Sequence, residues 1–159
     1  MLNRQKFVET LDKACESLGF DKRKVLISHG GASLFHGLRK ETADIDATVP
    51  KEYWDLLLEN GCEITVLPQR GHLPPVDNII YMGVDFHLEK ENIDDRDKMI
   101  FHGYAVTKPL RLLRDRIKLG REKDVGDILQ LKQHARFLNS CEESEMWTIC
   151  RRYRGSYMF

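Results

Sequence analysis

The stretch His29–Val49, "HGGASLFHGLRKETADIDATV", decides how this chain is read. It begins where the aliphatic run "KVLIS" (24–28) ends. Gly30 and Gly31 then form a turn, and "ASLFHGL" has room for about two helical turns. "ADIDATVP" alternates with period two, so Asp44 and Asp46 share one face of a strand while Ile45, Ala47 and Val49 share the other, until Pro50 stops it. The order is strand, glycine turn, short helix, then a strand with one acidic face. A glycine turn ahead of a helix N-terminus lets backbone amides approach a phosphate with no Cβ in the way. Two carboxylates at period two repel each other unless a cation lies between them, and magnesium, which takes one or two protein carboxylates together with waters and substrate phosphates, is the natural neutraliser.

Working outward, Phe7, Leu11, Ala14, Cys15 and Leu18 recur at helical spacing with Gly19 placed as a C-terminal cap. After Pro50, a helix carries Tyr53, Trp54, Leu57 and Leu58 and closes at Asn60-Gly61. The strand "CEITVLP" follows, then the loop "PQRGHLPPVDN". "NIIYM" and "VDFHLE" come next, separated by Gly83 in hairpin fashion. Asp85, His87 and Glu89 share one face of the latter. One further strand is expected within Met99–Val106. Thr107 is expected to cap a helix over Lys108–Leu119, with Gly120 breaking it and helices near Glu122–Leu138 and Glu142–Tyr153 completing the chain. The fold class is α+β, a mixed sheet flanked by helices with a C-terminal helical segment. The expected layout is a catalytic core over 1–106 and helices over 107–159 packed on it.

Composition bounds the rest. The chain has 159 residues, 42% of them hydrophobic, which suits one globular domain with an ordinary core. Its 25 basic and 25 acidic side chains cancel, so net charge does not announce a polyanionic partner. Their distribution is uneven, with 13 Lys/Arg against 18 Asp/Glu through Ile100 and 12 against 7 beyond it. Cys15, Cys62, Cys141 and Cys150 lack zinc-ligand spacing and read as thiols. The first residues lack a signal-peptide run, and no segment reaches the roughly 18 apolar residues of a membrane span. A cytoplasmic protein with no membrane partner is expected.

"HGGASLFHGLRKETADID" resembles the signature of the DNA polymerase β-like nucleotidyltransferase superfamily, in which Gly-Gly or Gly-Ser precedes D-x-D on the next strand. That family carries a third carboxylate on a later strand, and "GVDFHLE" offers Asp85, with Glu89 and Glu91 nearby. "KPLRLLRDRIKLGREKDVGDILQL" resembles the helical segment of small abortive-infection and toxin-type members, which carry an R-x-K-D-x-x-D-like helix, here Arg121, Lys123, Asp124 and Asp127. The resemblance implies a nucleotidyltransferase fold and two-metal transfer of a nucleoside monophosphate from an NTP to a hydroxyl, with release of pyrophosphate. Asp44, Asp46 and Asp85 would be catalytic and hold two Mg2+ ions, with Mn2+ as a substitute. Gly30, Gly31, Ser33, Arg114, Lys118, Arg121, Lys123 and Asp127 would bind the nucleotide. The acceptor would be tRNA or protein, and an antitoxin would be a partner. Competing readings are a small antibiotic-modifying nucleotidyltransferase and a catalytically silent module that keeps the fold for binding. CCA-adding enzymes rank last, since they have an arginine and an aspartate where this chain has "ASLFH".

Other residues have double readings. His29 and His87 are candidates for phosphate contact or simply hydrogen-bonded side chains. Arg111, Arg114, Lys118 and Arg121 follow helical spacing and face either the donor, an RNA acceptor or solvent. Arg151, Arg152 and Arg154, interleaved with Tyr153, form a short basic tail, and Trp54 and Trp147 read as core.

Overall fold

A computed structural model describes residues 1–67 and 75–140. The expected helix at Glu142–Tyr153, Trp147, Cys141, Cys150 and the basic tail lie outside the described residues, as does most of the "PQRGHLPP" loop.

The chain opens with β1 (Leu2–Asn3) and α1 (Arg4–Leu18). The Asn3 side chain caps α1 by accepting from the Lys6 amide at 2.9 Å. Gly19, at φ 69°, ends it in the left-handed conformation that the helical spacing predicts. After a 3-10 turn at Lys22–Lys24 come β2 (Leu26–Ile27), α2 (His29–Phe35), β3 (Glu41–Thr42), β4 (Asp46–Val49) and α3 (Lys51–Glu59). Then follow β5 (Thr65–Leu67), β6 (Val76–Tyr81), β7 (Val84–Leu88), a 3-10 turn at Asp95–Asp97, β8 (Lys98–Phe101) and β9 (Tyr104–Thr107). The described chain ends with α4 (Pro109–Leu119), a 3-10 turn at Glu122–Asp124 and α5 (Val125–Ser140).

Seven strands form one mixed sheet in the order β5-β6-β7-β4-β2-β9-β8. β4 runs parallel to β7 and β2 parallel to β9, while the other neighbours are antiparallel. The fold is therefore α+β, with the mixed sheet flanked by helices. Period-two alternation sorts its two faces. Ile27, Ala47, Val49, Val84, Phe86 and Ile79 turn to one side and join a core with Phe7 and Leu11 of α1, Phe35 of α2 and Trp54 and Leu57 of α3. The alternate residues Asp46, Thr48, Asp85 and His87 occupy the other face at the centre of the sheet, with Asp46 opposite Asp85 and Thr48 opposite His87.

Four local features differ from the sequence reading. Met99–Val106 is two strands rather than one, reversed by His102-Gly103 at φ 52° and 87°, a two-residue turn of the same kind as Met82-Gly83. The terminal pair β1–β3 was not expected and forms a separate two-stranded sheet. α4 takes Lys108 rather than Thr107 as its N-cap, with Pro109 as its first helical residue, because Thr107 still belongs to β9. Gly30 and Gly31 do not form a turn ahead of α2 but belong to its first turn. The residue that reverses the chain is His29, at φ 53°.

Candidate functional site

The two central parallel strands bring together two acids from distant parts of the sequence. Asp46 begins β4, and its register partner on β7 is Asp85. Asp44 sits two residues earlier, just before the strand, and is exposed. Burial raises the Asp85 pKa above the ordinary carboxylate value, and the charges of Asp46 and Asp44 push the same way. His87 and the Asn78 amide oppose that rise; Asn78 Nδ2 donates to Asp85 Oδ1 at 3.4 Å. The His87 ring reaches the other acid, with Nε2 3.2 Å from Asp46 Oδ1.

A cavity of about 950 Å³ opens over this region, lined among others by Ser28, His29, Asp46, His87, Arg114 and Lys118. Its volume is that of a site for a nucleotide-sized ligand. Asp44 and Asp85 do not line it. His29 has an exposed surface, yet the protein crowding its ring lowers the imidazole pKa below its ordinary value. The positive charges of Arg116 and Arg121 add to that shift. A neutral imidazole at the mouth of the cavity offers one donor and one acceptor rather than a charge.

Of the basic stripe, Arg114 and Lys118 reach the cavity. Arg111 also lines it but is tied to Asp115 at 3.0 Å, Asp97 at 3.3 Å and Glu91 at 3.5 Å. Arg121 points instead to Asp124, with Nε 2.6 Å from its carboxylate, and Lys123 is exposed on the 3-10 turn outside the cavity.

Ser33 and Asp127 also lie away from the cavity, inside a buried ion network. Arg116, fully buried, pairs with the equally buried Asp124 and donates to Ser33 Oγ at 2.6 Å. Arg39 clasps Asp127 at 2.7 Å. The network bolts α4 and α5 to α2 and to the segment that follows it. These motif residues are thus occupied within the protein, and none of Ser33, Arg121, Lys123 or Asp127 faces the cavity that holds Asp46.

The glycines have a packing reason of their own. A Cβ on Gly31 would stand 2.6 Å from Ile27 Cγ2 and 2.7 Å from Phe7 Cζ, and one on Gly30 would stand 2.7 Å from Thr42 Oγ1. Both approaches are far inside van der Waals contact. Glycine at 31 is what lets α2 pack down on α1 and β2.

Among the described residues no group of three or more His, Cys, Asp or Glu side chains converges to hold a metal ion. What is present is an opposed pair of carboxylates with a third at the strand entrance. That donor set does not suit a metal fully caged by protein, but it suits magnesium, which keeps several waters and completes its shell with substrate phosphates. Mn2+ shares the preference for carboxylate oxygen. Sequence reasoning missed Asn78, Arg39, Arg116 and His36 as residues with fixed buried partners. A polar residue in the apolar run "VDNIIY" was the one available signal for Asn78.

Comparison with known proteins finds no matching family model, no matching curated protein and no matching solved structure. No described helix is long and apolar enough to cross a membrane.

Proposed function

We propose that this chain is a metal-dependent nucleotidyltransferase that moves a nucleoside monophosphate from an NTP to a hydroxyl on tRNA or protein and releases pyrophosphate. The observation that carries this reading is the pairing of Asp46 with Asp85 across adjacent parallel strands, beside a cavity that also receives Arg114 and Lys118. Acids are needed where a metal meets phosphate, and bases where the remaining phosphate charge must be held. Asp44, Asp46 and Asp85 would hold magnesium. When bound, the ion would supply charge neutralisation for the triphosphate and lower the pKa of the acceptor hydroxyl.

The chain's own residues divide the remaining work. Arg114 and Lys118 hold phosphate oxygens of the donor, a task suited to a forked guanidinium and a point charge together. Asp85, whose pKa burial raises above the ordinary carboxylate value, takes the proton of the attacking hydroxyl. His87 fixes the orientation of the Asp46 carboxylate. Gly30 and Gly31, in the first turn of α2, serve packing and leave their backbone amides at the helix N-terminus for a donor phosphate.

The test is incubation of the purified protein with each radiolabelled NTP, magnesium and a cell lysate, followed by separation of labelled RNA, protein and small molecules. Label in RNA or protein, with matching pyrophosphate release and loss of both in chelator, is expected. Label confined to small molecules would move the antibiotic-type reading ahead. Absence of transfer from all four nucleotides would overturn the enzymatic reading.

A further inference from the structure

Asn78 on β6 lies on the face of the sheet that also carries Asp85 and His87. It is fully buried, next to the core residue Ile79. Its Nδ2 donates to Asp85 Oδ1 at 3.4 Å, while its Oδ1 is buried with no hydrogen-bond partner. An amide oxygen stripped of water and left unpaired costs stability, and a leucine of similar size would avoid that cost. A chain that keeps asparagine here retains the one contact the side chain does make. That contact runs from an antiparallel neighbour of β7 to a carboxylate that the parallel neighbour β4 approaches from its other side.

We propose that Asn78 is a positioning residue for Asp85, its amide holding one carboxylate oxygen so that the other is presented toward Asp46. The carboxylate of an aspartate turns readily about its last torsion, and in an approach between like charges it swings away from its neighbour unless a donor fixes it. Asn78 supplies that donor from a buried and therefore rigid place. The kinetic consequence rests on the nucleotidyltransferase reading; the contact itself does not. Asn78 is fully buried and does not line the cavity, so its removal acts on turnover rather than on donor binding.

Two variants and two readouts separate the cases. Asn78→Leu keeps the size and deletes the donor, and Asn78→Asp keeps the shape but turns an acceptor toward Asp85. In steady-state transfer assays both should lose about 10–100-fold in kcat, as partners behind a metal-site carboxylate generally do, with the KM for NTP within about threefold of the parent. Asn78→Leu should melt at the same temperature or higher, which a purely structural asparagine would not allow alongside lost turnover. Unchanged kcat in a folded Asn78→Leu, or loss of activity only in step with loss of folded protein, overturns the proposal.

The second readout needs no activity. In 15N-labelled protein the Asn78 side-chain amide should exchange slowly with solvent and shift when Asp85→Ala is introduced. A resonance indifferent to Asp85 overturns the proposal even if transfer is observed. A protein that transfers nothing but retains this coupling refutes the activity reading alone.

Discussion

His29 turns the chain where a glycine would do so without strain, and it does so at the mouth of the cavity. A non-glycine residue held at positive φ costs roughly 1–3 kcal/mol, although histidine tolerates the region better than most. Residues two and three of the same stretch are the reverse case: Gly31 has no positive φ and is required by its neighbours. Gly31→Ala should destabilise the protein by about 1–3 kcal/mol in urea unfolding, because Ile27 and Phe7 must move to admit a methyl group. A substitution there therefore reports on packing before it reports on phosphate. The acids can be tested more directly. Asp46→Asn and Asp85→Asn should each reduce transfer at least about 100-fold while leaving the circular dichroism spectrum intact, since each removes charge at the site and no core contact. Asp85→Asn carries a second signature without metal. Because the folded state raises the Asp85 pKa, the unfolded chain holds the carboxylate more readily in its charged form. The native protein thus loses stability as pH rises from the ordinary carboxylate value through the raised one. Asp85→Asn should melt above the parent at pH 7, and that advantage should vanish below the ordinary carboxylate range.

At the scale of elements, the acidic strand and the β6–β7 hairpin were legible because both announce themselves locally. β4 does so by strict alternation, and the hairpin by Gly83 between two apolar runs. The second hairpin carries the same glycine signal at Gly103, but its strands, Lys98–Phe101 and Tyr104–Thr107, are only four residues each and together have the length of one ordinary strand. β1–β3 was invisible for a different reason: a two-residue pairing across 40 positions has no periodicity to read. The pairing of Asp46 with Asp85 could be anticipated as two acidic faces, but not as register partners, since register is a property of the assembled sheet. The R-x-K-D-x-x-D segment shows the limit most sharply. Its residue types suit either a ligand or one another, and only the burial of Arg116 and Asp124 separates the two. Removing one member leaves an uncompensated buried charge, so Arg116→Leu or Asp124→Asn should each cost about 3–5 kcal/mol in chemical denaturation. Lys123→Ala, on the exposed side of the same motif, should fall within about 0.5 kcal/mol of the parent.

For the molecule as a whole, the clearest pH dependence comes from His36, which sits fully buried at the end of α2. Its Nε2 donates to the Thr107 carbonyl at 2.7 Å, and Nδ1 has no partner. Burial lowers its pKa to about 4 from the ordinary 6.5. The unfolded chain therefore binds a proton that the native state refuses, and stability falls as pH drops from 6.5 toward 4, by about 3 kcal/mol across that window. Melting curves between pH 7 and 4.5 should show a steeper decline for the parent than for His36→Gln, whatever the intercept of the variant. A final consequence lies in the strand at the middle of the sheet. β2 is two residues long, yet Leu26 and Ile27 join β4 on one side to β9 on the other. The hairpins on either flank close through short turns, whereas β9 lies some 80 positions beyond β2, so the central seam pays the largest loop-closure entropy and zips after its flanks. On a ribosome the cleft cannot exist until Tyr104–Thr107 has emerged, with Arg114 and Lys118 next in line. Pulse-labelled hydrogen exchange during refolding should find the Ile80–Phe86 and Met99–Ala105 amides protected before those of Leu26 and Ile27, so the cavity wall that Leu26 forms is the late-assembling part of the sheet.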